Sequence, residues 1–116
     1  MLYRAIHHYA DMSPRKIRPV ADLIRGKMAD EALELLRYMP NRSARLVEQV
    51  LKSALGNAED QGAGDMEELE VQEARVDGGP IMKRIQPRAR GTAYPIKRRC
   101  AHIHIALSDG SEGSEE

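Results

Sequence analysis

Phenylalanine and tryptophan are absent from this sequence of 116 residues, and only four tyrosines are present. The core must therefore be built from Leu, Ile, Val, Ala and Met side chains, which predicts a compact body without a roomy aromatic pocket. A chain of this length is typical of a single domain with a modest core. We therefore expect no cleft for a small-molecule substrate and no bound cofactor.

Cysteine and long apolar runs are nearly absent as well. The single residue Cys100 excludes an intramolecular disulfide and an all-cysteine zinc site. A catalytic thiol needs an activating partner, and His102 would share a strand face with Cys100 without close contact, so a small buried residue is expected. Residues 1–16 contain no long apolar run, which predicts neither a secretory signal nor a membrane span and favours the cytosol or an organelle interior.

Net charge is zero, because 18 basic residues balance 18 acidic ones, but the two signs are segregated along the chain. Residues 1–27 contain six basic and two acidic residues, whereas residues 53–77 contain one basic and eight acidic residues. Residues 78–107 contain seven basic residues and no carboxylate. Chance clustering on a solvated surface is the alternative, but a basic stretch without partners favours binding to phosphate or to an acidic surface.

Capping residues and apolar spacing predict three helices. Ser13 and Pro14 are typical of a helix start and Gly26 of a helix end, with a kink expected at Pro19. Asp30 is expected to cap a second helix that stops at residue 40. Residues 41–60 are expected to form a third helix that begins with an Asn cap. The residues expected to face the core are Ile17, Val20, Ala21, Ile24, Leu33, Leu36, Tyr38, Ala44, Val47, Leu51, Ala54, Leu55 and Ala58.

Strand patterns occupy residues 2–10 and the C-terminal half. The apolar positions change parity after Val71, which predicts a bulge near Gln72 or Glu73, and the Gly-Gly-Pro at residues 78–80 breaks the pattern again. A turn near residues 88–91 would join two strands into a long hairpin. Ile103, Ile105 and Leu107 alternate with His102, His104 and Ala106, as in a half-buried strand. The predicted fold class is α+β, with three helices packed on a small antiparallel sheet and one long, protruding basic β-hairpin.

The outer part of this hairpin has little apolar alternation, and Pro95 is expected to interrupt its ladder. A two-stranded ribbon is marginal in water, so we expect a partner to order it. Arginine suits RNA, because its planar fork binds phosphate and stacks on unpaired bases. We therefore predict one RNA-binding domain over residues 1–108, with a hairpin extension at about 78–100 and a disordered acidic tail at 109–116. The basic residues of the hairpin extension are Lys83, Arg84, Arg88, Arg90, Lys97, Arg98 and Arg99.

Further cations and the histidines complete the set of candidate residues. Arg15, Lys16 and Arg18 oppose the dipole at the start of the first helix, which indicates a phosphate-binding role; ordinary surface charge is the alternative. With Arg4 they are predicted to bind RNA. Four histidines, at positions 7, 8, 102 and 104, lack a Cys or carboxylate cluster at ligand spacing, so we expect no metal site and contacts with RNA or solvent. The carboxylates of residues 59–77 are interpreted as a solvated face.

Several ordered segments resemble the L22 family of large-subunit ribosomal proteins. They are Ser13-Pro14-Arg15-Lys16-Ile17-Arg18 with residues 20–27, Glu31-Ala32-Leu33, residues 50–54 with 57–59, Val76-Asp77-Gly78-Gly79-Pro80, residues 83–91, residues 97–99, and His102-Ile103. The sequence departs from the family at Pro19, at the less basic residues 92–95, and in its acidic tail and neutral charge.

The resemblance implies a non-enzymatic structural protein of the ribosome, in the cytoplasm or in an organelle. It implies that the body binds large-subunit ribosomal RNA and neighbouring ribosomal proteins and aids subunit assembly. It also implies that the hairpin tip lines the nascent-peptide exit tunnel and meets the nascent peptide. Carried onto this chain, the tip residues are Met82, Pro87, Arg88, Ala89, Arg90, Gly91 and Thr92.

Two other classes of function stay open on the residues alone. A protein–protein adaptor would place the cationic hairpin on an acidic partner and would bind RNA weakly at physiological salt. A small enzyme acting on nucleic acid would lose turnover when an Asp or His is replaced, but the sequence has no metal motif and no catalytic constellation.

Overall fold

The computed structural model describes residues 2–62, 68–87, 91 and 93–109, and only the backbone of residues 82–87 and 93–97. It confirms the predicted α+β fold. Three helices accompany a three-stranded antiparallel sheet of order β1-β3-β2. The elements in chain order are β1 (Leu2–Ala10), α1 (Pro14–Ile24), α2 (Ala29–Tyr38), α3 (Arg42–Asp60), β2 (Glu70–Pro87) and β3 (Ala93–Ser108).

Helix α1 begins and ends as its sequence predicts. The Ser13 side chain accepts a hydrogen bond from the backbone N–H of Arg15 at 3.3 Å, and Pro14 occupies the first turn, where its missing N–H costs nothing. The helix continues through Pro19, which lies on its exposed side. Gly26 follows the helix with a φ of 87°, a conformation that glycine adopts without steric cost. All four apolar residues predicted to face inward are buried.

Helix α2 starts earlier than predicted but ends, as predicted, just before Pro40. Its N-cap is Met28 rather than Asp30, because Met28 forms a β-bridge with Glu70 and the N–H of Ala29 donates to the Leu69 carbonyl at 2.9 Å. Tertiary pairing therefore sets the start of this helix. Tyr38 is 82% exposed, so its predicted place in the core is wrong. Leu36 is fully buried, and a residue two positions further along a helix points to a different side.

Helix α3 confirms its predicted apolar stripe. Ala44, Val47, Leu51, Ala54 and Ala58 have no exposed surface, and the helix packs on β1, β3, α1 and α2. Asn41 is the N-cap as predicted, although its side chain forms no capping hydrogen bond. No helix in the described part of the chain is long and apolar enough to span a membrane.

The sheet contains both predicted irregularities. The register of β2 and β3 shifts between Val71 and Glu73 and again between Gly78 and Ile81. Pro95 pairs with Ile85 without a register shift, so its predicted interruption is wrong. A proline fits a strand when its nitrogen faces away from the partner strand.

The two faces of the sheet differ. Ala101, Ile103, Ile105 and Leu107 turn into the core that the helices cover. Ala106 belongs to the opposite, open face, where the sequence predicted a half-buried pattern, yet it is only 1% exposed. Arg4 and Glu73 are its register partners on the two neighbouring strands, and their side chains join across it in an ion pair of 3.1 Å.

Candidate nucleic-acid interface

A cleft of about 320 Å³ brings the two predicted basic blocks together. It is lined by Ser13, Pro14, Arg15, Arg18 and Arg99, and these five residues are called the arginine cleft below. The first four come from the start of α1 and the fifth from β3, more than eighty positions later in the sequence. The fold, rather than sequence proximity, therefore concentrates the positive charge.

Local structure explains how the arginine cleft forms. The Nε of Arg18 donates to the Val76 carbonyl at 3.1 Å, which fixes the first turns of α1 against β2. Arg99 pairs with Ile81, the first residue beyond the β2 irregularity. The Arg15, Arg18 and Arg99 side chains form no ion pair with any carboxylate of the described residues. A helix start and three uncompensated guanidinium groups suit an anion such as phosphate.

Other predicted RNA-binding residues lie elsewhere. Lys16 is exposed in the first turn of α1. Arg4 pairs with Glu73 on the open face of the sheet, and Arg98 lies 3.8 Å from the Asp11 carboxylate. The structure does not bring Arg4 into the arginine cleft, so its role in RNA binding stays a prediction.

The hairpin extends beyond the third strand. The last β1–β3 pair is Ala10 with Ala101, whereas β2 and β3 remain paired out to Pro87 and Ala93. The molecule consequently measures 64 Å along its longest axis and 21 Å along its shortest. Residues 81–87 and 93–99 are called the outer ribbon below. Lys83 and Lys97 occupy opposed register positions in it.

The predicted tip is described only in part. Met82, Pro87 and the outer-ribbon residues Lys83, Arg84 and Lys97 are placed by their backbone alone. Gly91 is exposed and has a φ of 71°, which fits the predicted turn. The remaining tip residues, Arg88, Ala89, Arg90 and Thr92, lie outside the described residues, as do residues 63–67 and most of the acidic tail.

A group of rings on the open sheet face was not predicted. The ring centroid of His102 lies 5.2 Å from that of His8 and 4.9 Å from that of Tyr9. Tyr9 has a φ of 59° and is 65% exposed. Nothing in the sequence marked the backbone of Tyr9 as unusual.

Nearby titratable groups interact with each other. The Nε2 of His104 lies 3.2 Å from an Asp77 carboxylate oxygen. Burial and the neighbouring Arg75 lower the pKa of His104, while Asp77 and Glu73 oppose that shift. Cys100 is buried as predicted, and its thiol donates to the Pro80 carbonyl at 3.1 Å. Among the described residues, no three His, Cys, Asp or Glu side chains group as a metal site would require.

Comparisons with known proteins agree with the residues that suggested a ribosomal protein. The family model for ribosomal protein L22p/L17e matches residues 5–108. The large ribosomal subunit protein uL22 of Rhodopirellula baltica is 53% identical over 111 residues, which cover 91% of this chain and 93% of the relative. The uL22 protein of Desulforamulus reducens is 52% identical over 110 residues, covering 95% and 97% of the two chains. This chain therefore belongs to the ribosomal protein L22p/L17e family.

Proposed function

We propose that this protein is a structural constituent of the large subunit of cytoplasmic ribosomes, where it binds ribosomal RNA and neighbouring ribosomal proteins and performs no catalysis. The observation that carries the proposal is the arginine cleft, which joins a helix start to three guanidinium groups that pair with no carboxylate in the described part of the chain. The uL22 relatives are named as proteins of the large ribosomal subunit, and we propose that this surface belongs to the same assembly.

The arginine cleft binds RNA phosphates through Arg15 and Arg99. Arg18 serves partly as an anchor, because its Nε is already bonded to the Val76 carbonyl. Lys16 and the cations of the outer ribbon extend the phosphate-binding surface along the direction of the hairpin. Neutralising each phosphate releases condensed counterions, so the affinity falls with increasing salt.

The hairpin carries the second part of the proposal. From residue 78 to residue 87 the ribbon spans about 30 Å at roughly 3.3 Å per residue. That reach allows the body to remain on the subunit surface while the tip lines the nascent-peptide exit tunnel and meets the nascent peptide. Contacts of the body and of the hairpin with separate RNA segments would aid assembly of the subunit.

Sedimentation and RNA binding test the proposal together. The tagged protein should co-migrate stoichiometrically with large subunits from gently lysed cells and resist a high-salt wash. The purified chain should bind transcribed large-subunit RNA, and Arg15→Ala and Arg99→Ala should each reduce the slope of log affinity against log salt by about 0.7–0.9. Arg75→Ala is the matched control, because Glu73 and Asp77 already neutralise this exposed arginine.

Two results would contradict the proposal. A protein that stays at the top of the gradient in both salts is not a ribosomal constituent, and tight binding to an acidic protein would then favour an adaptor. Equal salt slopes for all three variants would remove the arginine cleft from the RNA interface.

A further inference from the structure

Two sheet irregularities lie at the same level on either side of β3. The β1 register shifts between His7 and Ala10, and the β2 register shifts between Gly78 and Ile81. Ala101 of β3 is the register partner of both Ala10 and Gly78. Irregularities of this kind redirect side chains, and they are frequent next to functional sites.

The β1 irregularity changes the side of the sheet on which Tyr9 lies. Tyr3 and Ala5 point into the core, so strict alternation would send Tyr9 to that same face. With a φ of 59°, Tyr9 instead contacts the His102 ring on the open face, beside His8. The rings of His8, Tyr9 and His102 thus all contact one another, and these three residues are called the ring cluster below.

His102 is held firmly within the ring cluster. The backbone N–H of Tyr9 donates to His102 Nδ1 at 3.1 Å, so in the neutral ring the proton resides on Nε2. On the other side, a Cβ at Gly79 would lie only 3.3 Å from His102 Nε2. The absence of a side chain at Gly79 therefore leaves the space that this ring occupies.

Packing within the protein does not explain the tyrosine. Tyr9 is the one non-glycine residue with positive φ among the described residues, and it remains 65% exposed. Glycine or asparagine would adopt this backbone more easily, and an exposed ring gains little from burial. A residue held in an unfavourable conformation without compensating burial indicates a role in binding.

We propose that the ring cluster is a stacking platform for an unpaired nucleobase of RNA; this inference rests on the proposed function and names a site within it. The His102 contacts are edge-on, with interplanar angles of 69° and 83°, and the Tyr9 and His8 side chains are exposed, so the ring cluster presents ring surface to solvent. Every base has a flat face that stacks on such rings.

Charge near the ring cluster suits the same partner. Two residues after Tyr9, the Asp11 carboxylate lies 3.7 Å from Arg42 and 3.8 Å from Arg98, so one carboxylate faces two guanidinium groups. The surplus cation is available to the phosphate of a nucleotide whose base stacks on Tyr9. The ring cluster and these arginines together provide a base contact and a phosphate contact.

Binding of the full-length chain to transcribed large-subunit RNA tests the inference. Tyr9→Gly should weaken binding about tenfold, because it removes the ring. Its salt slope should equal that of the wild type, since no phosphate contact is lost. Tyr9→Phe keeps the ring and should bind like the wild type. Tyr38→Ala is the matched control, because it removes a tyrosine that is even more exposed, at 82%, from another surface of the body.

Thermal unfolding tests whether a loss of folding stability, rather than the loss of the ring, explains weaker binding by Tyr9→Gly. Glycine relieves the positive φ, so Tyr9→Gly should melt no lower than Tyr38→Ala. If Tyr9→Gly binds RNA as tightly as the wild type, the stacking platform is wrong while the proposed function stands. If the wild type itself fails to bind the RNA, the proposed function is wrong and this inference falls with it.

Discussion

Replacing Gly79 by alanine would test whether the junction between body and hairpin is packed as tightly as the structure indicates. A Cβ at this position would lie 2.7 Å from the Cys100 sulfur and 3.3 Å from both the Cys100 carbonyl oxygen and His102 Nε2. Cys100 is 3% exposed and its thiol is hydrogen bonded to the Pro80 carbonyl, so the sulfur cannot simply turn away. Overpacking of this kind costs about 1–3 kcal/mol of unfolding free energy.

Gly78→Ala supplies the control, because a Cβ there would meet nothing within 4 Å. Urea unfolding should show Gly79→Ala less stable by about 1–3 kcal/mol and Gly78→Ala within about 0.5 kcal/mol of the wild type. For a domain of this size, each kcal/mol lost corresponds to a fall in melting temperature of roughly 4 °C.

A double variant identifies the clashing atom. Cys100→Ala removes the sulfur, so adding it to Gly79→Ala should recover about 1 kcal/mol relative to the sum of the two single changes. Additive costs, or equal stabilities of the two glycine variants, would show that Gly79 is not closely packed. The way in which the structure positions His102 would then be wrong as well.

Two further predictions concern the same region. Arg18→Ala should weaken RNA binding and also lower the unfolding free energy by about 1 kcal/mol, because it removes the hydrogen bond to Val76. Arg15→Ala should weaken RNA binding alone. Equal melting temperatures of these two variants would show that Arg18 does not anchor the helix. The pKa of His104 is lowered in the folded state. The stability that His104 contributes is therefore complete above the pKa of the unfolded chain and is lost as the pH falls towards the pKa of the folded chain. Between about pH 7.5 and pH 5.5, the melting temperature of His104→Gln should fall less than that of the wild type.

Local signals were sufficient for α1 and α3 and insufficient for α2. Ser13, Pro14 and Gly26 act within a few residues of the helix they delimit, so the sequence alone reveals them. The start of α2 depends on pairing of Met28 with Glu70, forty-two positions later, which no local pattern contains. Tyr38 was misplaced for a related reason, because apolar character alone does not decide which side of a final helical turn meets the core.

The candidate site was predictable in its chemistry but not in its geometry. Basic residues in two blocks indicated a phosphate-binding protein, but only the sheet order places Arg99 beside Arg15. Tyr9 is harder still, since its backbone conformation follows from register against β3 rather than from neighbouring residues. Positive φ at a non-glycine residue is a property of the folded chain.

The structural features that bear on function concentrate at one level of the molecule, where the three-stranded sheet becomes a two-stranded ribbon. β1 ends beside Ala101, so beyond that residue the hairpin has no third strand to fix its direction. The junction is instead held by the bond from Arg18 to Val76 and by the close fit of Gly79 with Cys100 and His102. Because the arginine cleft contains Arg18 and the ring cluster contains His102, RNA bound at either site would contact an element that sets the direction of the hairpin. Binding of RNA by the body and insertion of the hairpin are therefore expected to be coupled, so that a change at Gly79 disturbs both while a change at the tip disturbs only the second.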